Sequence, residues 1–171
     1  MATQVFTINP EHPKQFDFTT IKTFEDACLK LGIDPIKWTQ EHDRLPDHIT
    51  ALMELEIITE AINDGWRHPL DGRTPVYYVW TWLFKDDEIK AGKPQEYQIV
   101  FKMLRPDGSA GLGAADSTYS WSLSTSYFGS RLAYQTREQC DYSLKQFSSL
   151  WESWLYPQEW QNEERRRQEN D

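Results

Sequence analysis

Cysteine is almost absent from this chain: Cys28 and Cys140 are the only two. Neither stands in a CxxC or any zinc-type spacing, so there is no disulfide framework and no cysteine metal knuckle to build on. Both fall on helix-like faces, where a thiol serves as a small buried hydrophobe in a reducing compartment. Long apolar runs are missing too, and nothing approaches the ~18 residues of a membrane-spanning helix. The opening MATQVFTINPEHPKQ lacks the basic segment and apolar stretch of a secretory leader, so a protein of the cytosol, or of something assembled there, is expected. Cations are outnumbered, with 18 Lys and Arg against 27 Asp and Glu, for a formal charge of −9. A surface of that sign repels phosphate backbones and anionic lipid, which disfavours nucleic acid and membrane as partners.

Catalytic signatures are also missing. The chain contains no nucleophile elbow, no Walker A loop and no dinucleotide fingerprint. Its histidines are His12, His42, His48 and His68. His42 and His48 are off the i,i+4 spacing that sets two ligands on one helix face. Asp86-Asp87-Glu88 lacks the spaced array and central glycine of a calcium loop, and reads as a solvated loop. The expectation is a protein without catalytic residues, metal or cofactor.

What the chain does have is rings: 8 Trp, 8 Tyr and 8 Phe, 14% of its residues. A mean hydropathy of −0.73 hints at partial disorder. Disordered chains are poor in aromatics, however, and each buried ring removes about 150–250 Å² from water. An aromatic core follows. The 171 residues suit one domain, read as an arm over 1–22, a body over 23–156 and a charged tail over 157–171.

Within the body, Thr23 is an N-cap for a helix carrying Phe24, Ala27, Cys28 and Leu31, which Gly32 stops. A connector follows over 33–46, with at most one turn around Trp38. Asp47 is then the N-cap of a longer helix whose apolar stripe runs from Ile49 to Ile62, whose Glu54, Glu56 and Glu60 form a solvated face, and which Asn63-Asp64-Gly65 ends. Strand patterns come next. Val76–Phe84 is apolar on both faces and reads as a central strand, and Glu96–Leu104 alternates. Tyr119–Tyr127 and Ser130–Tyr134 read as one bent strand or two short ones. Thr136 with Gln139 forms a capping box for a final helix that Pro157 ends. The fold class expected is α+β: an antiparallel three- to four-stranded meander with two N-terminal helices and one C-terminal helix packed on it.

Candidate partner-binding residues lie outside these elements. Gly111 and Gly113 belong to a Gly/Ala/Ser run that reads as a mobile hairpin loop, with a loop that orders on contact with a partner as the alternative. Trp160 is the only ring of the tail. Arg165, Arg166 and Arg167 form its basic cluster, which Glu163, Glu164 and Glu169 flank, a pattern suited to a terminal helix docking on another protein. Trp80, Trp82 and Phe101 could form a stacking platform for single-stranded nucleic acid, but no basic groove accompanies them, and core packing is the better reading.

Three stretches carry a resemblance: Phe24-Glu25-Asp26-Ala27-Cys28-x-x-Leu31-Gly32 with Asp34-Pro35; Ala61-Ile62-Asn63-x-Gly65-Trp66; and Gly129–Tyr134 followed by Thr136-Arg137-Glu138 and Tyr142-Lys145-Gln146-Phe147. Together they resemble a small protein family of tailed phages infecting gut Bacteroidetes, crAss-like phages among them. These are caps, turns and a strand-to-helix junction, so the resemblance carries over no catalytic residue. It implies a non-enzymatic virion structural or accessory protein, associated with the capsid or portal vertex and contacting other virion proteins. An intracellular regulator of a host or phage enzyme, and a single-strand-binding module, are the alternatives.

Overall fold

The computed structural model describes residues 16–69, 74–92, 99–102, 108–116 and 130–157. Helix α1 (Phe24–Leu31) begins at Thr23, whose hydroxyl accepts from the Asp26 amide while the Asp26 carboxylate accepts from the Thr23 amide. Gly32 ends it at φ 72°, a left-handed conformation that a residue without Cβ adopts freely. Helix α2 (Pro35–His42) follows where a connector was expected. Its signal was present in Asp34-Pro35: the Asp34 carboxylate caps the Ile36 and Lys37 amides, and proline supplies the first helical φ. Helix α3 (Asp47–Ile62), the longest element among the described residues, lies at the centre of the core; Pro46 is its N-cap and Asp47, expected in that place, is its first helical residue and makes no side-chain capping bond.

The expected meander does not organise this fold, which is mostly helical: among the described residues three α-helices precede the strands and two follow them. Strands β1 (Tyr77–Lys85), β2 (Ile99–Lys102) and β3 (Gly108–Asp116) pair antiparallel in the order β1-β3-β2. A meander would place β2 in the middle. Instead the glycine- and alanine-rich run expected as a loop is the central strand, and β1, expected at the centre, lies to one side. Small residues have low strand propensity, but they let a backbone lie between two bulkier strands, and here the pairing overrides the propensity. Asp86–Lys90, expected as loop, is the short helix α4. Ser130–Leu132, expected as strand, is a 3-10 turn, and Tyr134 makes only an isolated bridge to Tyr77. The stretch 119–127 lies outside the described residues.

The final helix is also two helices. The Thr136–Gln139 capping box opens α5 (Arg137–Gln146), and α6 (Ser148–Leu155) follows a break at Phe147, whose φ of −116° and ψ of 29° leave the helical region. That break lets Phe147 and Trp151 both enter the core, with Trp151 fully buried. Buried Leu55, Ile58 and Ile62 of α3, Leu144 of α5, Trp151 of α6 and Val79 of β1 share one cluster. Segment 16–22 lies against this body: Ile21 is buried, and the Tyr142 hydroxyl donates to the carbonyls of Thr19 and Ile21. No described helix is long and apolar enough to cross a membrane.

Candidate functional site

The core face of α3 is formed by Ala51, Leu55, Ile58, Thr59 and Ile62, all buried. A second face, spaced i, i+3, i+4, i+7, carries Met53, Glu56, Ile57 and Glu60. It borders an open trough of about 510 Å³, within the ~300–1,000 Å³ typical of binding clefts. Met53 and Ile57 are half-buried apolar residues on this face. Trp38 from α2 and Trp66 from the turn after α3 add aromatic surface. The Trp66 ring meets buried His68 edge-on, with centroids 6.2 Å apart.

Glu56 and Glu60 sit one turn apart, where like charges repel. Two arginines from elsewhere in the chain answer them. Arg131, brought in by the 3-10 turn, donates through Nη1 to Glu56 at 3.0 Å. Arg67 donates through Nη2 to Glu60 at 3.0 Å. The arginine side chains are 77% and 82% exposed, against 32% and 47% for their glutamates. The outermost charges of the trough are therefore positive, on a protein of net charge −9.

Behind the trough, α3 is tied to the rest of the body by buried polar groups. Asn63 donates through Nδ2 to the Ala133 carbonyl at 2.8 Å and accepts from the Gln135 amide. Gln139 caps α5 and at the same time donates to the Ile62 carbonyl at 2.9 Å, satisfying a group that the end of α3 leaves without a helical partner. Deeper still, Thr59, Tyr134, Ser143 and Trp151 form one hydrogen-bonded cluster. Tyr134 and Ser143 are fully buried, and burial pushes the Tyr134 hydroxyl well above its ordinary pKa. Burial likewise holds Cys140 in its thiol form, and Cys28 is buried as well. The hydrogen bonds among these groups join α3 to the segments that follow the sheet.

Of the residues singled out from sequence, the described ones, Gly111 and Gly113, do not line the trough. Gly111 pairs with Trp82 on one side and Val100 on the other, and Gly113 pairs with Trp80. Both lie in the middle of a sheet rather than in a loop. Trp160, Arg165, Arg166 and Arg167 lie outside the described residues. Among the described residues no three His, Cys, Asp or Glu side chains are grouped as metal ligands would be. Sequence reasoning missed Arg67, Arg131 and Trp66, and took Glu56 and Glu60 for a solvated face. The usable signal was an α3 apolar pattern wider than one core face requires, combined with two glutamates at i,i+4.

Comparison with protein-family models, with curated proteins and with solved structures finds no match.

Proposed function

We propose that this protein is a non-enzymatic structural or accessory component of a phage particle, associated with the capsid or portal vertex through protein–protein contacts at the α3 trough. The observation that carries the reading is the second face of α3. Met53 and Ile57 stand half-exposed between two ion pairs and beside Trp66, leaving apolar and aromatic surface beyond what the core covers. Interfaces are built in this way, from an aromatic or aliphatic centre with a charged rim. The resemblance of residues 23–150 to a phage family supplies the setting, and the acidic charge turns the reading away from nucleic acid.

Mass spectrometry of gradient-purified virions tests this, with copy number measured against the major capsid protein. A stoichiometric presence matching capsid or portal symmetry is expected. Absence from the particle would overturn the reading in favour of an intracellular regulator.

A further inference from the structure

Resting on the reading of the trough as a protein-binding surface, we propose that its occupant is an acidic peptide segment with an aromatic or aliphatic anchor. The anchor contacts Met53, Ile57 and Trp66, and the flanking carboxylates are held by Arg67 and Arg131.

The argument starts from what each arginine has left to give. A guanidinium presents five N–H donors in a planar fork. The ion pair of Arg67 engages Nη2 and that of Arg131 engages Nη1. At 82% and 77% exposure the rest of each fork faces solvent. An incoming carboxylate can therefore add to the arginine without displacing its glutamate. Glu56 and Glu60 then act as braces, holding flexible side chains over the trough before the partner arrives and lowering the entropy cost of capture. Planar, two-point recognition of carboxylate is what arginine does better than lysine.

Sign decides between an acidic and a basic occupant. Each ion pair is neutral overall, and in both the glutamate is the less exposed partner, so an approaching segment meets the guanidiniums first. The net charge of −9 repels an acidic partner only weakly at the trough, because charges more than about 8 Å away are screened at physiological ionic strength. Against single-stranded nucleic acid stands the charge: two arginines, each already paired with a glutamate, release few counterions.

The test uses the full chain and fluorescence anisotropy with three labelled probes: Glu-Glu-Trp-Glu-Glu, Lys-Lys-Trp-Lys-Lys and an oligo-dT of similar length. The acidic probe is expected to bind and the other two are not. The double variant Arg67→Gln with Arg131→Gln should weaken the acidic probe about tenfold, and Trp66→Ala should weaken it with the arginines intact. The substituted groups are exposed or half-exposed, so an unchanged melting temperature will show that each variant is folded. No binding of the acidic probe, equal binding of the lysine probe or oligo-dT, or indifference to the arginine substitutions would each overturn the proposal. A protein present in virions that ignores acidic peptides sinks this inference alone. A protein absent from virions that binds them sinks the virion role and leaves the site.

Discussion

Ser143 accepts two hydrogen bonds in the middle of the core, from the Tyr134 hydroxyl at 2.6 Å and from the Trp151 indole at 3.2 Å. Thr59 completes the cluster at 2.9 Å from Tyr134. One direction of donation gives each of the other three a partner for its proton: Thr59 gives to Tyr134, Tyr134 gives to Ser143, and Trp151 gives to Ser143. Serine is the smallest side chain able to accept both. Ser143→Ala removes the acceptor of the buried Trp151 indole and leaves the Tyr134 hydroxyl with Thr59 alone, so its cost in urea denaturation should be the ~1–3 kcal/mol of one unsatisfied buried group. A loss within error would show that the cluster contributes nothing to stability. Glu54 gives a prediction of opposite sign. Partial burial, and then the nearby Glu25, raise its carboxyl above the usual range. The folded protein therefore holds that proton more readily than the unfolded chain. Stability linked to Glu54 is fully present below the unfolded carboxyl pKa, ~4.3, and is lost as pH rises through the raised folded value. Glu54→Gln should raise the melting temperature at neutral pH, and the gain should vanish near pH ~4. An equal gain at both pH values would rule out this cause.

At the scale of elements, the chain was legible where chemistry is local. Thr23, Gly32, Thr136 and the Asn63-Asp64-Gly65 stop act within a few residues of themselves, and the structure places them as the spacing indicates. Helix α2 was missed although Asp34-Pro35 marked its start, because Pro35 was read as a breaker instead of a first-turn residue. The sheet was illegible for a different reason. Strand order depends on pairing between distant segments, and nothing within Gly108–Asp116 shows that two strands flank it. The break at Phe147 likewise depends on where the core needs two aromatic side chains. Thr136→Ala tests a legible element. It removes the hydroxyl that accepts from the Gln139 amide and should cost about 0.5–2 kcal/mol. If Gln139 also loses its hold on the Ile62 carbonyl, the loss will fall at the top of that range. No measurable loss would mean that the cap is solvated as well without the hydroxyl as with it.

At the scale of the molecule, the long helix works in two directions. Its core face holds α1, α6 and the 3-10 turn in place, and that turn delivers Arg131 to the other face. The candidate site was hidden in the sequence because its parts come from four separate segments: Trp38, α3, Trp66 with Arg67, and Arg131. Only Met53, Glu56, Ile57 and Glu60 share a pattern that sequence could show, and that pattern is also what an amphipathic surface helix looks like. Charge placement then gives the trough a rim of two ion pairs whose more exposed partners are the arginines.

If the protein is a particle component as proposed, the trough is covered there. Hydroxyl-radical footprinting of free and virion-bound protein reads it directly through Met53 and Trp66, two oxidisable side chains bordering the trough. Tyr142, which contacts the N-terminal segment instead, serves as the reference. The account predicts a several-fold fall in modification at Met53 and Trp66 on assembly, with Tyr142 unchanged. Equal modification of Met53 and Trp66 in both states would contradict it.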